Sequence, residues 1–289
     1  MPARDPGPED TALHQHVIQL LGRLRLSGLA AGLDDLLAWA RKERPAPLAL
    51  LERALAIDAD RCHQRAVERR LDLSGLPDRP TLETFDWDFQ PSMDKPLLLQ
   101  LADLDFLRAK EDLVFTGTSG TGKSHVVKAL AVRAAVAGHR VCYRLFRDLM
   151  DQLYAALADG SYDAALARFA RFDRLVIDDV GLGRVHRSPD EPTCAHMLFA
   201  LLDQRVGKVS TAVTSNIALS AWGPYLSDAA LTMAILDRIV HHATRLHVDG
   251  PSYRDRESEA LNSSQRGDLR DPPHARGDRP RIFTEGESK

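Results

Sequence analysis

Cysteine is scarce in this chain. Its three cysteines, Cys62, Cys142 and Cys194, are scattered and make no metal-ligand spacing. They read as buried thiols of a reducing cytosol. No charge of one sign dominates either. Lys and Arg number 38 against 41 Asp and Glu, a net charge of -3, so the whole chain is not a basic nucleic-acid binder. Any DNA contact has to come from a local patch. No apolar run approaches the length of a membrane span, which argues against a membrane partner. The polar, proline-rich residues 1–10 carry no signal-peptide pattern, and the expected compartment is the cytoplasm. No internal repeat is present.

What is present is an ordinary globular composition, 44% hydrophobic over 289 residues, enough for one large domain or two smaller ones. Within it stands Gly117-Thr118-Ser119-Gly120-Thr121-Gly122-Lys123-Ser124, which fits G-x-x-x-x-G-K-[ST] at every fixed position. Leu113-Val114-Phe115 before it reads as a short buried strand. His125 to Ala137 after it reads as a helix, with apolar residues at Val126, Val127, Leu130, Ala131 and Ala134. A strand, a glycine-rich turn and a helix N-terminus make an anion site, because backbone N–H groups and the helix dipole favour phosphate. Gly117, Gly120 and Gly122 let the backbone wrap closely. Lys123 is placed to reach the outer phosphates, and the Ser124 hydroxyl to ligate magnesium.

Residues 1–9 look disordered. The pattern from Thr11 to Leu71 is helical, with Val17, Leu20, Leu21 and Leu24 at helix spacing and Leu29, Leu33, Leu36 and Leu37 likewise. Ala46 to Arg70 predicts one long helix whose basic row, Arg61, Arg65, Arg69 and Arg70, is diluted by Asp58, Asp60 and Glu68. That row fits a DNA contact and a solvated face equally. Pro77 and Pro80 end the helical region, so a helical domain is expected over 10–76 and a linker over 77–95. The linker is aromatic, Phe85-Asp86-Trp87-Asp88-Phe89, and reads as docking onto the next domain. Pro96 to Leu107 predicts a helix leading into the glycine-rich loop.

From Leu113 onward strands and helices alternate. Candidate strands are Leu113–Thr116, Val141–Phe146, Leu175–Asp178, Thr211–Thr214 and Arg245–Val248. That alternation predicts an α/β domain over 96–258, a parallel sheet covered by helices on both faces. Residues 259–289 are rich in Arg, Asp, Pro and Gly, nearly balanced in charge, and are expected to be a disordered tail.

Arg174-Leu175-Val176-Ile177-Asp178-Asp179 is an apolar strand ending in two carboxylates. Strand C-termini of a parallel sheet open onto the ligand crevice. Asp178 is therefore expected to face the loop and hold magnesium, directly or through water, and Asp179 to orient or deprotonate the attacking water. Alone, the pair also fits a turn before Gly181. Thr214-Ser215-Asn216 ends the next apolar strand with a polar tip suited to holding water or sensing the γ-phosphate, or simply to starting a turn. Arg238, on a helix expected from Ala229 to His242, reads by itself as a solvated charge. His241 and His242 lack partners at metal spacing.

The ordered set of strings resembles the IstB-like ATP-binding proteins, transposition helper ATPases of bacterial insertion sequences, in the DnaC/IstB group of AAA+ proteins. Besides the loop, the strings are Leu24-Arg25-Leu26-Ser27-Gly28-Leu29, Phe89-Gln90-Pro91-Ser92-Met93-Asp94, and Val176-Ile177-Asp178-Asp179-Val180-Gly181. They continue with Thr214-Ser215-Asn216, Ala234 to His242 and Gly250-Pro251-Ser252-Tyr253-Arg254, so the match runs from about Leu21 to Ser258. The resemblance implies a P-loop AAA+ fold, with ATP and Mg²⁺ as cofactors. Lys123 and Ser124 are then the phosphate and magnesium ligands, Asp178 completes the magnesium site, and Asp179 is the catalytic carboxylate. Asn216 becomes the first sensor, Arg238 an arginine finger reaching a neighbouring subunit's ATP, and Arg254 a second sensor. It further implies an oligomer that assembles on duplex DNA with ATP and works with a transposase.

Two departures stand out. Many relatives carry Asp-Glu where this chain has Asp178-Asp179, which draws the carboxylate back by roughly 1.5 Å. Little apolar sequence follows Arg254, so the C-terminal helical lid common in AAA+ proteins is expected to be reduced or absent, with closure supplied by a neighbouring subunit. Three rival readings share the loop. A DnaC-like helicase loader differs in its partner. A small-molecule kinase is disfavoured by Asp178-Asp179, Asn216 and Arg238 in order. A non-hydrolysing nucleotide-dependent scaffold differs in releasing no phosphate.

Overall fold

A computed structural model describes residues 8–183, 192–256 and 258. Residues 1–7 and the expected tail, 259–289, lie outside the described residues.

Three helices come first: α1 (Pro8–Arg23), α2 (Ser27–Glu43) and α3 (Pro47–Ser74). Leu21, Leu29, Leu33 and Leu36 form their buried seam, with Leu50, Ala54 and Ile57 of α3 packed against it. α3 starts with Pro at its first position, where the missing N–H costs nothing, and ends at Gly75 in the left-handed region. It is long enough to leave the seam and reach the elements around the sheet. There it packs on α6 (Lys123–Val136) and on β2 (Val141–Leu145).

The junction between α1 and α2 depends on one acid. Asp58 is buried, and its Oδ1 accepts from the Gly28 N–H at 2.7 Å and the Leu29 N–H at 3.3 Å. These are orphan donors of the first turn of α2, which has no side-chain cap of its own. Arg61 completes the clasp by donating to the Ser27 carbonyl at 3.1 Å. A Cβ at residue 28 would stand 2.7 Å from that carboxylate oxygen, so only glycine fits there. Asp58 and Arg61 thus act within the fold rather than in a solvated charge row.

The segment before the sheet forms α4 (Lys95–Leu101) and α5 (Asp105–Ala109) instead of the single expected helix. Leu104 takes φ 64, a left-handed conformation that no continuous helix contains. The break lets Leu101, Leu104 and Phe106 all enter the core.

The sheet has five parallel strands in the order β2-β3-β4-β1-β5, with β1 (Asp112–Gly117), β3 (Arg174–Val180), β4 (Ser210–Ser215) and β5 (Ala243–Val248). Near-continuous apolar runs such as Leu175-Val176-Ile177 are what a sheet covered on both faces requires. One face packs on α6 with α4 and α5. The other packs on α7 (Phe146–Ala158), α8 (Tyr162–Ala170), α9 (Cys194–Arg205), α10 (Trp222–Leu226) and α11 (Ala229–His241). This is the expected α/β architecture, a parallel sheet flanked by helices. Cys142 and Cys194 are buried, whereas Cys62 is exposed on α3, contrary to the expectation of three buried thiols. After β5 the described residues contain one helical turn, 253–256, and no helical bundle. Among the described residues no helix is long and apolar enough to cross a membrane.

Candidate functional site

All strand C-termini lie along one edge of a parallel sheet, and the order places β1 beside β4, so that edge gathers Gly117, Asp178, Asp179 and Asn216. The loop from Gly117 curls into the N-terminus of α6, whose free N–H groups and dipole face the same edge. Thr121 Oγ1 donates to the Thr118 carbonyl at 2.9 Å and closes the curl. Gly122 has φ 90, and a Cβ there would stand 2.5 Å from Phe85 Cε2. Glycine is therefore demanded twice, by the turn and by the linker ring that lies on it. Lys123 Nζ is drawn over the loop, donating to the carbonyls of Gly117 at 2.9 Å and Thr118 at 2.6 Å. Burial pushes its ammonium below the usual lysine value; Asp179 and Asp178 oppose that shift and Arg254 adds to it.

The two carboxylates reach the site through a bulge. Ile177 pairs with Val213 but Val180 pairs with Ser215, so Asp178 and Asp179 together face Thr214. In a regular strand consecutive side chains point to opposite faces. Here Asp179 adopts φ 62, a conformation asparagine and aspartate tolerate better than most residues, and both acids serve one edge. Thr214 ties them together. Its hydroxyl accepts from the Asp179 N–H at 2.9 Å and donates to Asp178 Oδ1.

Asp178 is buried beneath the loop, and Ser124 Oγ donates to its Oδ1 at 2.9 Å. Tyr143 donates to Oδ2 at 2.6 Å. Asp179 Oδ1 accepts from Asn216 Nδ2 at 2.9 Å. A cavity of about 490 Å³ opens above, lined by the loop from Ser119 to Ser124, by Asp179, Asn216 and Arg254, and by Phe85, Phe89 and Tyr253. Gly117 and Thr118, the first residues of the loop, are not in that lining, and Gly117 pairs with Val248 of β5.

The donor set suits a hard cation. Ser124 Oγ and the carboxylate behind it offer oxygen only, as Mg²⁺ prefers. Among the described residues no group of three or more His, Cys, Asp or Glu side chains converges on a metal position. The cation would therefore take its remaining ligands from water and phosphate, the usual arrangement for Mg²⁺ at a phosphate site.

Arg238 is not among the residues brought together. It sits on α11, with Nη2 donating to Asp203 Oδ1 at 2.9 Å and its guanidinium carbon 4.1 Å over the Phe199 ring. Arg254 does reach the cavity, carried by the turn after β5. Two further side chains escaped sequence reasoning. Tyr143 lies mid-strand with no local signal. Gln90 is buried and donates to the carbonyls of Thr121 at 3.3 Å and Pro251 at 3.4 Å, tying linker, loop and post-β5 segment together. Its one signal was membership of the Phe89–Asp94 string.

Residues 19–260 match the family described as IstB-like ATP binding protein. The chain belongs to that family. Among curated IstB-like relatives, one from Pseudomonas aeruginosa, named for ATP binding in insertion sequence IS21, is 35% identical over 238 residues. The alignment covers 82% of this chain and 88% of that protein. A second, from Bacillus thuringiensis subsp. berliner and named for insertion sequence IS232, is 30% identical and covers 83% of this chain and 94% of its own. Among solved structures, the crystal structure of the DnaI overlays 59% of this chain and 91% of that chain, at 19% identity and a TM-score of 0.48. The parallel α/β sheet with its glycine-rich phosphate-binding loop is the fold of an IstB-like ATP-binding protein.

Proposed function

We propose that this IstB-like protein hydrolyses ATP, assembles on duplex DNA in its ATP-bound form, and regulates transposition together with the transposase of its own insertion sequence. The observation that carries the reading is the Asp179–Asn216 pair, joined at 2.9 Å and facing the same cavity as the loop. A carboxylate held by an amide donor beside a phosphate cradle is equipped to orient a water molecule and accept its proton. In this reading Lys123 leaves the loop carbonyls for the outer phosphates, and the backbone N–H groups of Ser119 to Ser124 hold the chain of phosphates. Arg254 supplies a second cation from the lining of the same cavity. Mg²⁺, held by Ser124 with Asp178 behind it, would neutralise charge on the phosphate oxygens. The aromatic wall of Phe85, Phe89 and Tyr253 offers stacking surface for the base.

Arg238 lies outside its own subunit's cavity, which suits a finger offered to a neighbour. Its resting partners release it at small cost. A part-exposed ion pair is worth about 0–1 kcal/mol and a surface cation–π contact about 0.5–1 kcal/mol, against the several kcal/mol a finger gains at the transition state. Two relatives are named for insertion sequences, which supports transposition as the setting and a transposase as the partner. With net charge -3, the protein must hold DNA through local Lys and Arg multiplied by oligomerisation. Action on duplex DNA in a bacterial cell would set it in the cytoplasm.

Phosphate release from ATP, measured with and without duplex DNA over a salt series, tests the reading. Turnover is expected to rise with DNA, and DNA binding to require ATP and weaken steeply with salt. Nucleotide binding without phosphate release under any condition would overturn hydrolysis, and tight DNA binding by an ATP-free monomer would overturn assembly.

A further inference from the structure

Asp178 accepts three hydroxyl hydrogen bonds, and one of them comes from outside every motif. Ser124 and Thr214 share Oδ1, while Tyr143 alone holds Oδ2, at 2.6 Å. Tyr143 belongs to β2, two residues before Leu145, the pairing partner of Asp178, so its ring reaches diagonally across the strand pair. The ring is buried in the core beneath α6. Its backbone is braced as well. Arg144 Nη1 donates to the Tyr143 carbonyl at 2.6 Å, and a Cβ on Gly75, at the end of α3, would come within 3.1 Å of that oxygen.

We infer that Tyr143 is a positioning residue for the cation of the nucleotide site, acting through Asp178; the inference rests on the proposed reading of that site. A carboxylate has about four acceptor positions and can swing about its terminal torsion. Donation to Oδ2 pins that torsion, so Oδ1 stays aimed at Ser124. The Ser124 hydroxyl then donates its hydrogen bond to Oδ1 and keeps a lone pair for a cation. The phenol O–H is a donor at neutral pH, and Oδ2 is its partner. Without it, Asp178 has a freed oxygen in the core and is free to turn away from Ser124. Groups that orient a ligand from behind typically govern metal affinity by roughly 10–100-fold.

Tyr143→Phe keeps the ring and removes only the donor. The test is the affinity of a fluorescent ATP analogue measured twice, in EDTA and in excess Mg²⁺. Binding in EDTA depends on the loop and Lys123, so it is expected to match the wild type and shows that the fold is intact. The gain in affinity on adding Mg²⁺ is expected to shrink by roughly 10–100-fold. An unchanged Mg²⁺ gain overturns the inference. So does an equal loss in EDTA and in Mg²⁺, which would make Tyr143 a support of the fold alone. Lys123→Ala run alongside separates the two levels: normal analogue binding by that variant would overturn the nucleotide site itself, and with it the role of Tyr143.

Discussion

Asn216 meets the end of β3 twice over. Its Nδ2 donates to Asp179 Oδ1 at 2.9 Å, and its backbone N–H donates to the carbonyl of Val180, the next residue along β3, at 3.0 Å. The end of β4 therefore holds both the carboxylate and the backbone that carries it. An acid on a bulge with φ 62 would otherwise be the least restrained group of the site.

From this follows the behaviour of Asp179→Asn. The amide keeps the size of the side chain and leaves Asp178 and Ser124 in place, but it accepts no proton. ATP binding is expected to persist while phosphate release falls by about 10²–10⁴-fold, the usual contribution of a general base. Assemblies on DNA should outlast those of the wild type. Turnover at the wild-type rate would show that Asp179 only shapes the turn.

Arg238→Ala is expected to abolish hydrolysis and spare ATP affinity, since Arg238 stands outside its own cavity. The loss predicted for a finger is about 10³–10⁵ in rate. Its defect should be complementable: mixed with Lys123→Ala subunits, which keep the finger, it should regain partial turnover at mixed interfaces. Normal turnover by the single variant would remove the finger from the scheme. Failure to complement despite shown co-assembly would put Arg238 to work within its own subunit.

Lys123 carries a pH dependence of defined sign. Burial lowers its pKa in the free protein below 10.5, so as pH rises the ammonium is lost earlier than an ordinary lysine would lose it. Phosphate favours the ammonium, and binding at alkaline pH must therefore take up a proton. Affinity for a fluorescent ATP analogue is expected to be level at neutral pH and to fall on the alkaline side short of 10.5. Calorimetry in two buffers of different ionisation heat reads the proton uptake directly. Alkaline binding with no proton uptake would sink this assignment.

In the N-terminal helices, Asp58→Ala strands the N–H groups of Gly28 and Leu29 in the interior. The expected loss is about 1–3 kcal/mol in urea unfolding, the cost of leaving buried donors unsatisfied. Asp58→Asn keeps an acceptor oxygen and should lose less. Gly28→Ala should also destabilise, because its methyl group meets the Asp58 carboxylate. A loss within about 0.5 kcal/mol for Asp58→Ala, the range of ordinary surface changes, would contradict the clasp.

Local chemistry made much of the molecule legible in one dimension. The loop was recognisable because its glycines, Lys123 and Ser124 act within eight consecutive residues, 117–124. The five strands were readable, though their ends shifted by one or two residues as in Arg174–Val180, because a sheet covered on both faces needs unbroken apolar runs such as Leu175-Val176-Ile177. Residue order along the chain also predicted that Asp178 and Asn216 would arrive at one edge, since both follow such runs. The break at Leu104 was not legible, because Pro96 to Leu107 has adequate helix propensity and only the demand to bury Leu101, Leu104 and Phe106 together splits it.

Tertiary structure alone decided the rest. A strand's period of two sends neighbouring acids to opposite faces, and only the register of β3 against β4 reveals the bulge that lets Asp178 and Asp179 share Thr214. Tyr143 and Asp178 are 35 residues apart, and Gly28 and Asp58 are 30 apart, so no local pattern links either pair. Each looks ordinary in sequence: an aromatic in a strand, an acid in a charged helix row. Burial changes their meaning, because a polar group removed from water must find its partner wherever the fold has brought one.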